Sequence, residues 1–176
     1  MQKSFYQKYY SKLMHICVRY APAREDAEQW VHDGFIKIFS CLHLFRYQGS
    51  FDGWMKKIMV RMCIDQLRTQ NTQKFGVENN TVYNDHDIAD DQHYVNNDFL
   101  LKTDADALLQ IINTLPDKQR AVFNLIVFED YSHKEIATAL DITENHSYHL
   151  LHQARKQLKN ALQQQSEKKE LKYEQK

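Results

Sequence analysis

Apolar residues recur at intervals of three and four through the first seventy positions of this chain, a spacing that predicts amphipathic α-helices. A first helix, closed by Pro22, has an apolar stripe made of Phe5, Tyr9, Leu13, Ile16 or Cys17, and Tyr20. A second, over residues 26–45, has Val31, Phe35, Ile38, Leu42 and Phe45. A third, capped by Ser50 and running from Phe51 to about Thr69, is predicted to bury Phe51, Met55, Ile58 and Met62.

The stretch from Leu115 to Leu162 predicts three more helices. Pro116 opens the first, whose predicted buried stripe is Val122, Leu125, Ile126 and Phe128. Ser132 and Glu135 have the spacing of a capping box, and the short helix that follows has Ile136, Ala137 and Leu140 on its apolar side. Thr143 can cap the last helix, in which the inward residues are Ser147, Leu151, Ala154 and Leu158.

A short helix, a three-residue turn and a second helix with small inward residues are typical of a helix-turn-helix. The last helix carries donors on its outward face, which suit phosphates and base edges in a major groove: His146, His149, His152, Gln153, Lys156 and Lys159. Protonation of the three histidines would strengthen such contacts below neutral pH. The alternative is a solvated face on a helical bundle that binds no DNA.

Basic residues alternate with aromatic ones around the start of the third helix. The exposed cations predicted there are Lys56, Lys57, Arg61 and Arg68, and Tyr47 and Trp54 lie nearby. A protein that binds single-stranded DNA needs both kinds of residue, because the cations contact the phosphates while aromatic rings or pockets hold the unstacked bases. The alternative is that Phe51 and Trp54 belong to the core and that the lysines only aid solubility.

The amino-acid composition limits the classes of protein to which this chain can belong. The chain has 176 residues, with only two prolines and four glycines, so we expect an almost entirely helical fold. Cys17, Cys41 and Cys63 lie far apart and predict reduced, mostly buried thiols in the cytoplasm. There is no apolar run of membrane-spanning length and no signal peptide, so we expect no membrane insertion.

The net charge of zero hides three different environments. Residues 1–74 hold twelve Lys and Arg against six Asp and Glu, residues 75–114 one against eight, and residues 115–176 ten against nine. The expected organisation is a domain at 1–74, a flexible acidic linker at 75–102, a second domain at 103–165 and a polar, fraying tail at 166–176. A metal site built from the linker's Asp and His residues, such as Asp85 and His93, is the less favoured interpretation.

The motifs of the C-terminal domain resemble those of the promoter-binding domain of bacterial RNA polymerase sigma factors. They read LP-x-x-x-R-x-V-F, then E-x-Y-S-x-x-E-I-A-x-x-L-x-I-T-E, then A-R-K-x-L. The length resembles that of the two-domain extracytoplasmic-function (ECF) subgroup. Asp130 and Asp141 stand where the family usually has glycine, and Tyr148, His149 and Leu150 replace a small, mostly basic polar run.

The N-terminal half resembles the same family. DAEQWVHDGF is similar to the segment that docks on core RNA polymerase, and GSFDGWMKKIMVRMCIDQLR to the segment that recognises and melts the minus-ten element. The expected polymerase-docking set is the polar stripe of Asp26, Gln29, Asp33 and Lys37, of which Asp26 and Asp33 match the family motif and Gln29 departs from it. The expected minus-ten set is Arg46, Tyr47, Phe51, Trp54, Lys57, Arg61 and Arg68. Within it, Lys57 replaces a frequent arginine and Arg61 stands where the family commonly has asparagine. The minus-thirty-five set would be Lys134, His146, His149, His152, Gln153, Arg155 and Lys156.

The leading interpretation is therefore an all-α, two-domain transcription initiation factor. Its partners would be core RNA polymerase, promoter DNA as both duplex and melted strand, and an anti-sigma factor of the kind common in this subgroup. No cofactor, metal or catalysis is expected, because the chain lacks a phosphate-binding glycine loop, a nucleophile elbow and a spaced metal motif. A helix-turn-helix regulator that acts without polymerase is the main alternative, and a metal-dependent hydrolase using the central Asp/His cluster is a third.

Overall fold

The computed structural model describes residues 2–74 and 105–174, with side chains described over 3–69 and 108–164. The chain divides into two compact units, residues 1–78 and 79–176. The first contains α1 (Gln2–Tyr20), α2 (Arg24–Cys41), a 3-10 turn (Leu42–Leu44) and α3 (Phe51–Lys74). The second contains α4 (Ala105–Asn113), α5 (Asp117–Glu129), α6 (His133–Leu140) and α7 (Glu144–Glu174). These elements confirm the all-α prediction, with no strand in either described range.

The three helices of the first unit pack against one another around a shared core. Tyr20 of α1, Phe35 of α2 and Met59 of α3 are among its fully buried side chains. Gly34 permits the close approach of α2 to α3, because a Cβ at this position would lie 2.3 Å from Met59 Cε and 2.6 Å from its Sδ. Cys17 and Cys63 are both buried, with their sulfurs 3.8 Å apart between α1 and α3.

Two predictions for the first unit are wrong in detail. The second helix ends at Cys41 instead of Phe45, and Leu42, predicted to be buried, lies in the 3-10 turn and is 44% exposed. In α3, Met55 is buried but Phe51, Ile58 and Met62 are only half-buried. The residues of α3 that complete the core are Met59, Val60, Cys63, Ile64 and Leu67. Apolar residues occur on several sides of α3, so its periodicity alone did not determine which side faces the other helices.

In the second unit, α5 is enclosed on nearly all sides. Residues 119–125 are all buried, including the polar Gln119, Arg120 and Asn124. Val122 and Leu125 match the predicted stripe, whereas Ile126 and Phe128 are half-buried. α5 packs mainly against α7, which also packs against α6. The predicted inward face of α7 is confirmed, since Ser147, Leu151, Ala154 and Leu158 are all buried.

Local hydrogen bonds fix the boundaries of the helix-turn-helix. Ser132 Oγ accepts from the Glu135 amide, and the Glu135 carboxylate accepts from the Ser132 amide at 2.8 Å, so the capping box is confirmed. Thr143 Oγ1 accepts from the His146 amide at 3.1 Å and caps α7. Asp130 and Asp141 end α5 and α6 in the left-handed conformation, both at φ 55°. Aspartate is one of the few non-glycine residues that adopts this conformation readily.

The last helix reaches into the predicted polar tail. α7 continues to Glu174. The segment from Gln163 onwards is rich in Gln, Glu and Lys and has no Gly or Pro, so its helix propensity is high. The acidic linker at 75–102 and its Asp and His residues lie outside the described residues. In the described ranges, no helix combines the length and apolar character that a bilayer crossing requires.

Candidate nucleic-acid interface

An aromatic cluster surrounds the loop that precedes α3. The ring of Phe45 lies 5.1 Å from Phe51 and 5.4 Å from Trp54, and Phe51 stacks on Trp54 at 5.6 Å. Phe5 of α1 packs edge-on against Phe51 at 5.8 Å and so joins the cluster to the core. Phe51 and Trp54 are consequently half-buried and pack within this cluster.

Tyr47 is the most exposed ring of this cluster. It is 87% exposed, has a φ of 57° and lies 5.0 Å from Phe45 between centroids. A positive φ is unusual for a bulky residue, and here it occurs in the sharp reversal before α3, where Gly49 has a φ of 105°. The loop therefore presents the Tyr47 ring to solvent beside the exposed Arg46.

A row of cations continues from this loop along α3. Lys57, Arg61 and Arg68 are exposed, and their spacings of four and seven place them on the side of α3 that also carries Trp54. The structure thus brings most of the predicted minus-ten residues together as one surface with an aromatic end. Lys12 of α1 instead forms an ion pair with Asp52 at 2.7 Å, and this contact raises the pKa of its ammonium group.

The predicted docking residues form a single stripe on α2. Asp26 and Asp33 are half-buried and Gln29 and Lys37 exposed, at spacings of three, four and four. The Gln29 amide lies 3.4 and 3.5 Å from the two carboxylate oxygens of Asp33. Ile36, next to Lys37, is 58% exposed, which gives this side of α2 an apolar element that the sequence analysis did not include.

The outward face of α7 is polar along its first three turns. At about 100° per residue, the centre of this face lies opposite the buried stripe. It consists of Asn145, His149, His152 and Lys156, all exposed except the half-buried His149. Asn145 was missed in the sequence analysis, although its position four residues before His149 could have indicated it. Lys134 is exposed on α6, and Arg155 is half-buried.

The three candidate histidines have different surroundings. His152 is exposed, whereas His146 is half-buried and lies close enough to Lys118 of α5 for the two charges to repel. Desolvation, with smaller contributions from Lys118 and His149, lowers the pKa of His146. His149 Nε2 lies 2.7 Å from the side-chain amide nitrogen of Gln153, whose oxygen accepts from the Gln119 amide of α5 at 3.0 Å.

His133 is a fourth histidine of the helix-turn-helix that the sequence analysis did not single out. Its ring stacks on Tyr148 at 3.6 Å, and its Nδ1 is hydrogen-bonded to the buried Ser147 hydroxyl at 2.9 Å. Burial lowers the pKa of His133; Glu144 opposes this shift and Arg155 reinforces it. His133 thus joins the start of α6 to the first turns of α7. The small inward Ser147 was the only sequence signal for such a contact.

The described ranges contain no group of three His, Cys, Asp or Glu side chains arranged to hold a metal ion. What they present is one aromatic and cationic surface on α3 and its preceding loop, and one helix-turn-helix with a polar outward helix. Surfaces of these two kinds are typical of proteins that bind nucleic acid.

Comparisons with known proteins agree with this geometry. Residues 5–73 match the family Sigma-70 region 2, and residues 105–158 match Sigma-70, region 4. The chain is 25% identical over 167 residues to the ECF RNA polymerase sigma factor SigW of Bacillus subtilis, covering 88% of this chain and 84% of SigW. It is 24% identical over 162 residues to the RNA polymerase sigma-H factor of Pseudomonas aeruginosa, covering 89% and 83%.

The fold also resembles a solved structure, the sigma factor RpoE of Bartonella quintana in complex with the anti-sigma factor NepR. The match has a TM-score of 0.51 and 17% identity and covers 92% of this chain and 98% of RpoE. At this identity the likeness concerns the fold alone, whereas the two matched family regions together span most of the chain. The chain belongs to the sigma-70 family and is a sigma factor of the ECF type.

Proposed function

We propose that this sigma factor binds core RNA polymerase through α2, recognises promoters through α7 and helps to open the duplex through the loop and helix α3. The observation that carries the proposal is the pairing, in one chain, of an exposed aromatic and cationic surface with a separate helix-turn-helix. A protein that needs only to find duplex DNA requires the second surface but not the first.

The polymerase-docking role is assigned to the stripe of Asp26, Gln29, Asp33 and Lys37. Its two carboxylates and one ammonium group suit a partner with complementary charges, and the exposed Ile36 adds apolar area. Most of the binding free energy of an interface comes from residues near its buried centre. Asp33, with its neighbours Ile36 and Lys37, is proposed as the centre of this contact.

The melting role is assigned to the loop and to α3. Tyr47 offers an exposed ring on which an unstacked base could stack, and Lys57, Arg61 and Arg68 would follow the phosphates, as would Arg46. Phe51 and Trp54 would hold the loop in place through the aromatic cluster. Removing bases from a duplex costs a few kcal/mol, so a surface that captures them lowers the cost of opening.

The minus-thirty-five role is assigned to the outward face of α7. His149, His152, Gln153 and Lys156 are proposed to contact base edges or phosphates, together with Asn145, while Lys134 and Arg155 would contact the backbone at the sides. The half-buried His146 would lie at the edge of this surface. Protonation of histidines on this face would add positive charge beside phosphates and strengthen those contacts.

We further propose that the protein acts in the cytoplasm, without catalysis or cofactor of its own. The RpoE structure contains an anti-sigma factor, and a partner of that class is proposed for this chain too. A flexible acidic linker between the two regions also remains a proposal, based on the charge distribution of residues 75–102.

Duplex opening distinguishes this function from that of a helix-turn-helix regulator acting alone. A fluorescent base analogue in the minus-ten region should brighten only when the chain and core polymerase are both present. Lys57→Gln should reduce the signal several-fold, whereas Lys3→Gln, an identical change at an exposed site on α1, should not. A chain that binds the promoter equally well without core polymerase and opens nothing with it would contradict the proposal.

A further inference from the structure

We infer that Gln119, a buried residue of α5, is a positioning residue that fixes the hydrogen-bonding direction of Gln153 and His149 on the DNA-facing helix. The inference rests on the proposed function of α7. Gln119 is only 8% exposed, yet its side-chain amide donates to Gln153 Oε1 at 3.0 Å. Gln153 in turn contacts His149 Nε2 at 2.7 Å through its own amide nitrogen. A single chain of hydrogen bonds therefore connects the core to the outward face.

The donor-to-acceptor direction of these hydrogen bonds can be deduced from the number of buried polar groups that each direction leaves without a hydrogen bond. In the observed arrangement, the buried Oε1 of Gln119 accepts no hydrogen bond from the described residues. Reversing both amides would place two N–H donors at that buried position instead. Leaving a buried polar group unpaired costs about 1–3 kcal/mol, so one unpaired acceptor costs less than two unpaired donors. The observed direction is thus the favoured one.

The direction determines what α7 offers to DNA. Gln153 Oε1 is held by Gln119, and its Nε2 points to His149, so the two ends of its amide cannot exchange. Each end retains one further hydrogen-bonding position, an oxygen lone pair and an N–H. His149 Nε2 must accept, which places the ring proton of neutral His149 on Nδ1. The free lone pair of Gln153 Oε1 is then a fixed acceptor, and the His149 Nδ1–H on the neighbouring side chain is a fixed donor. Such a fixed pair discriminates among base pairs, whereas amides that rotate freely can present donor and acceptor in either order.

The proton position on His149 can be measured in the wild-type protein. In the full-length chain at pH 7.5, ¹⁵N chemical shifts of the His149 ring should show protonated Nδ1 and unprotonated Nε2. Gln119→Met, which preserves side-chain length but cannot donate, should shift the ring towards the Nε2–H form. Protonated Nε2 in the wild-type chain would overturn the inference, and because no variant is needed, this test does not depend on whether a variant folds.

Sequence discrimination provides the functional test. Wild-type chain is first used to select its preferred upstream element from duplex DNA with a randomised ten-base-pair window. Affinities for that element and all its single-base-pair changes are then compared among wild type, Gln119→Met and a matched control, Gln157→Met, at the exposed Gln157 of α7. Gln119→Met should lose about fivefold or more discrimination at one or two adjacent base pairs. Its affinity for unrelated duplex DNA and its melting temperature should change little.

The outcomes separate the inference from the proposed function. If wild type selects no sequence, the proposed function of α7 fails. If wild type selects a sequence and Gln119→Met discriminates equally well at every position, only the positioning role of Gln119 fails. Equal losses of base-pair discrimination in Gln119→Met and Gln157→Met would also overturn that role, because the lost discrimination would then not depend on the buried amide of Gln119.

Discussion

At the scale of single residues, the second unit is unusual for the polar side chains that it buries. Arg120 is only 3% exposed and is held by the Asp117 carboxylate at 2.8 Å and the Asn113 carbonyl at 3.3 Å. His133 is hydrogen-bonded to the buried Ser147 and stacked on Tyr148. Such groups stabilise a fold only while their partners and their protonation state are preserved.

The stability of the second unit should fall as the pH is lowered from 7.5 to 5.5. Burial lowers the pKa of both His133 and His146, so each is protonated in the unfolded chain at a higher pH than in the folded one. The unfolded state then binds more protons, and the free energy of unfolding decreases once the pH falls below the ordinary histidine value. Repulsion from Arg155 at His133 and from Lys118 at His146 acts in the same direction, and Glu144 opposes it at His133.

Thermal unfolding followed by far-ultraviolet circular dichroism at the two pH values measures this effect. His133→Gln should reduce the pH dependence, whereas His152→Gln, at the exposed outward face, should preserve it. Trp30 and Trp54, the chain's two tryptophans, both lie in the first unit, so their fluorescence reports that unit separately. A second-unit transition that does not shift between pH 7.5 and 5.5 would contradict the lowered pKa values.

At the scale of helices, the sequence predicted the buried face and the ends of a helix most clearly where one side is apolar and the capping residues lie close together in the sequence. The inward face of α7 and the Ser132–Glu135 capping box were both predicted, because each depends on residues within a few positions of one another. The buried side of α3 was not, because the position of Met59 opposite Gly34 is determined by another helix. The burial of Gln119 was also missed, since a polar residue gives no signal in a hydrophobic pattern.

Gly34 and Met59 should be energetically coupled. Gly34→Ala gains up to about 1 kcal/mol of helix propensity but forces the buried Met59 side chain to move, which costs about 1–3 kcal/mol. We therefore expect a net loss of stability in Gly34→Ala. In a Met59→Ala background the same change should be neutral or stabilising, because the obstructing atoms are gone. Chemical denaturation of the four proteins of this cycle measures the coupling, and additive effects would show that the two helices are not in close contact here.

The capping box should stabilise the second unit measurably. Ser132→Ala removes the acceptor for the Glu135 amide and should cost about 1 kcal/mol. For a domain of this size the melting temperature would fall by about 4–8 °C. Thr138→Ala, in the same helix but with its hydroxyl bonded only within that helix to the Lys134 carbonyl, serves as the control. Equal melting temperatures for Ser132→Ala and wild type would contradict a stabilising cap.

At the scale of the whole molecule, two sigma regions occupy separate units of one chain. The segment between them, residues 75–104, carries one basic residue against seven acidic ones. From this acid excess we propose that the segment is a solvated linker. In the proposed function, each region could then find its own promoter element with little constraint from the other.

Limited proteolysis should consequently cut the free protein first within residues 75–100. The products should be two helical fragments, one containing both tryptophans and the other neither, which mass spectrometry and fluorescence distinguish. Core polymerase should slow the cleavage if the segment is covered in the complex. First cuts within α1–α3 or α5–α7 of the free protein, with residues 75–100 resistant, would contradict a flexible linker.

The proposed role in initiation is tested most directly by transcription from purified components. Core RNA polymerase and a template carrying the element selected by the wild-type chain should give a run-off transcript of defined length only when the chain is added. Asp33→Lys, in the proposed docking stripe, should abolish the transcript while leaving the chain folded, and Lys3→Gln should not affect it. Equal transcript with and without the wild-type chain would contradict the central claim that this chain directs polymerase to promoters.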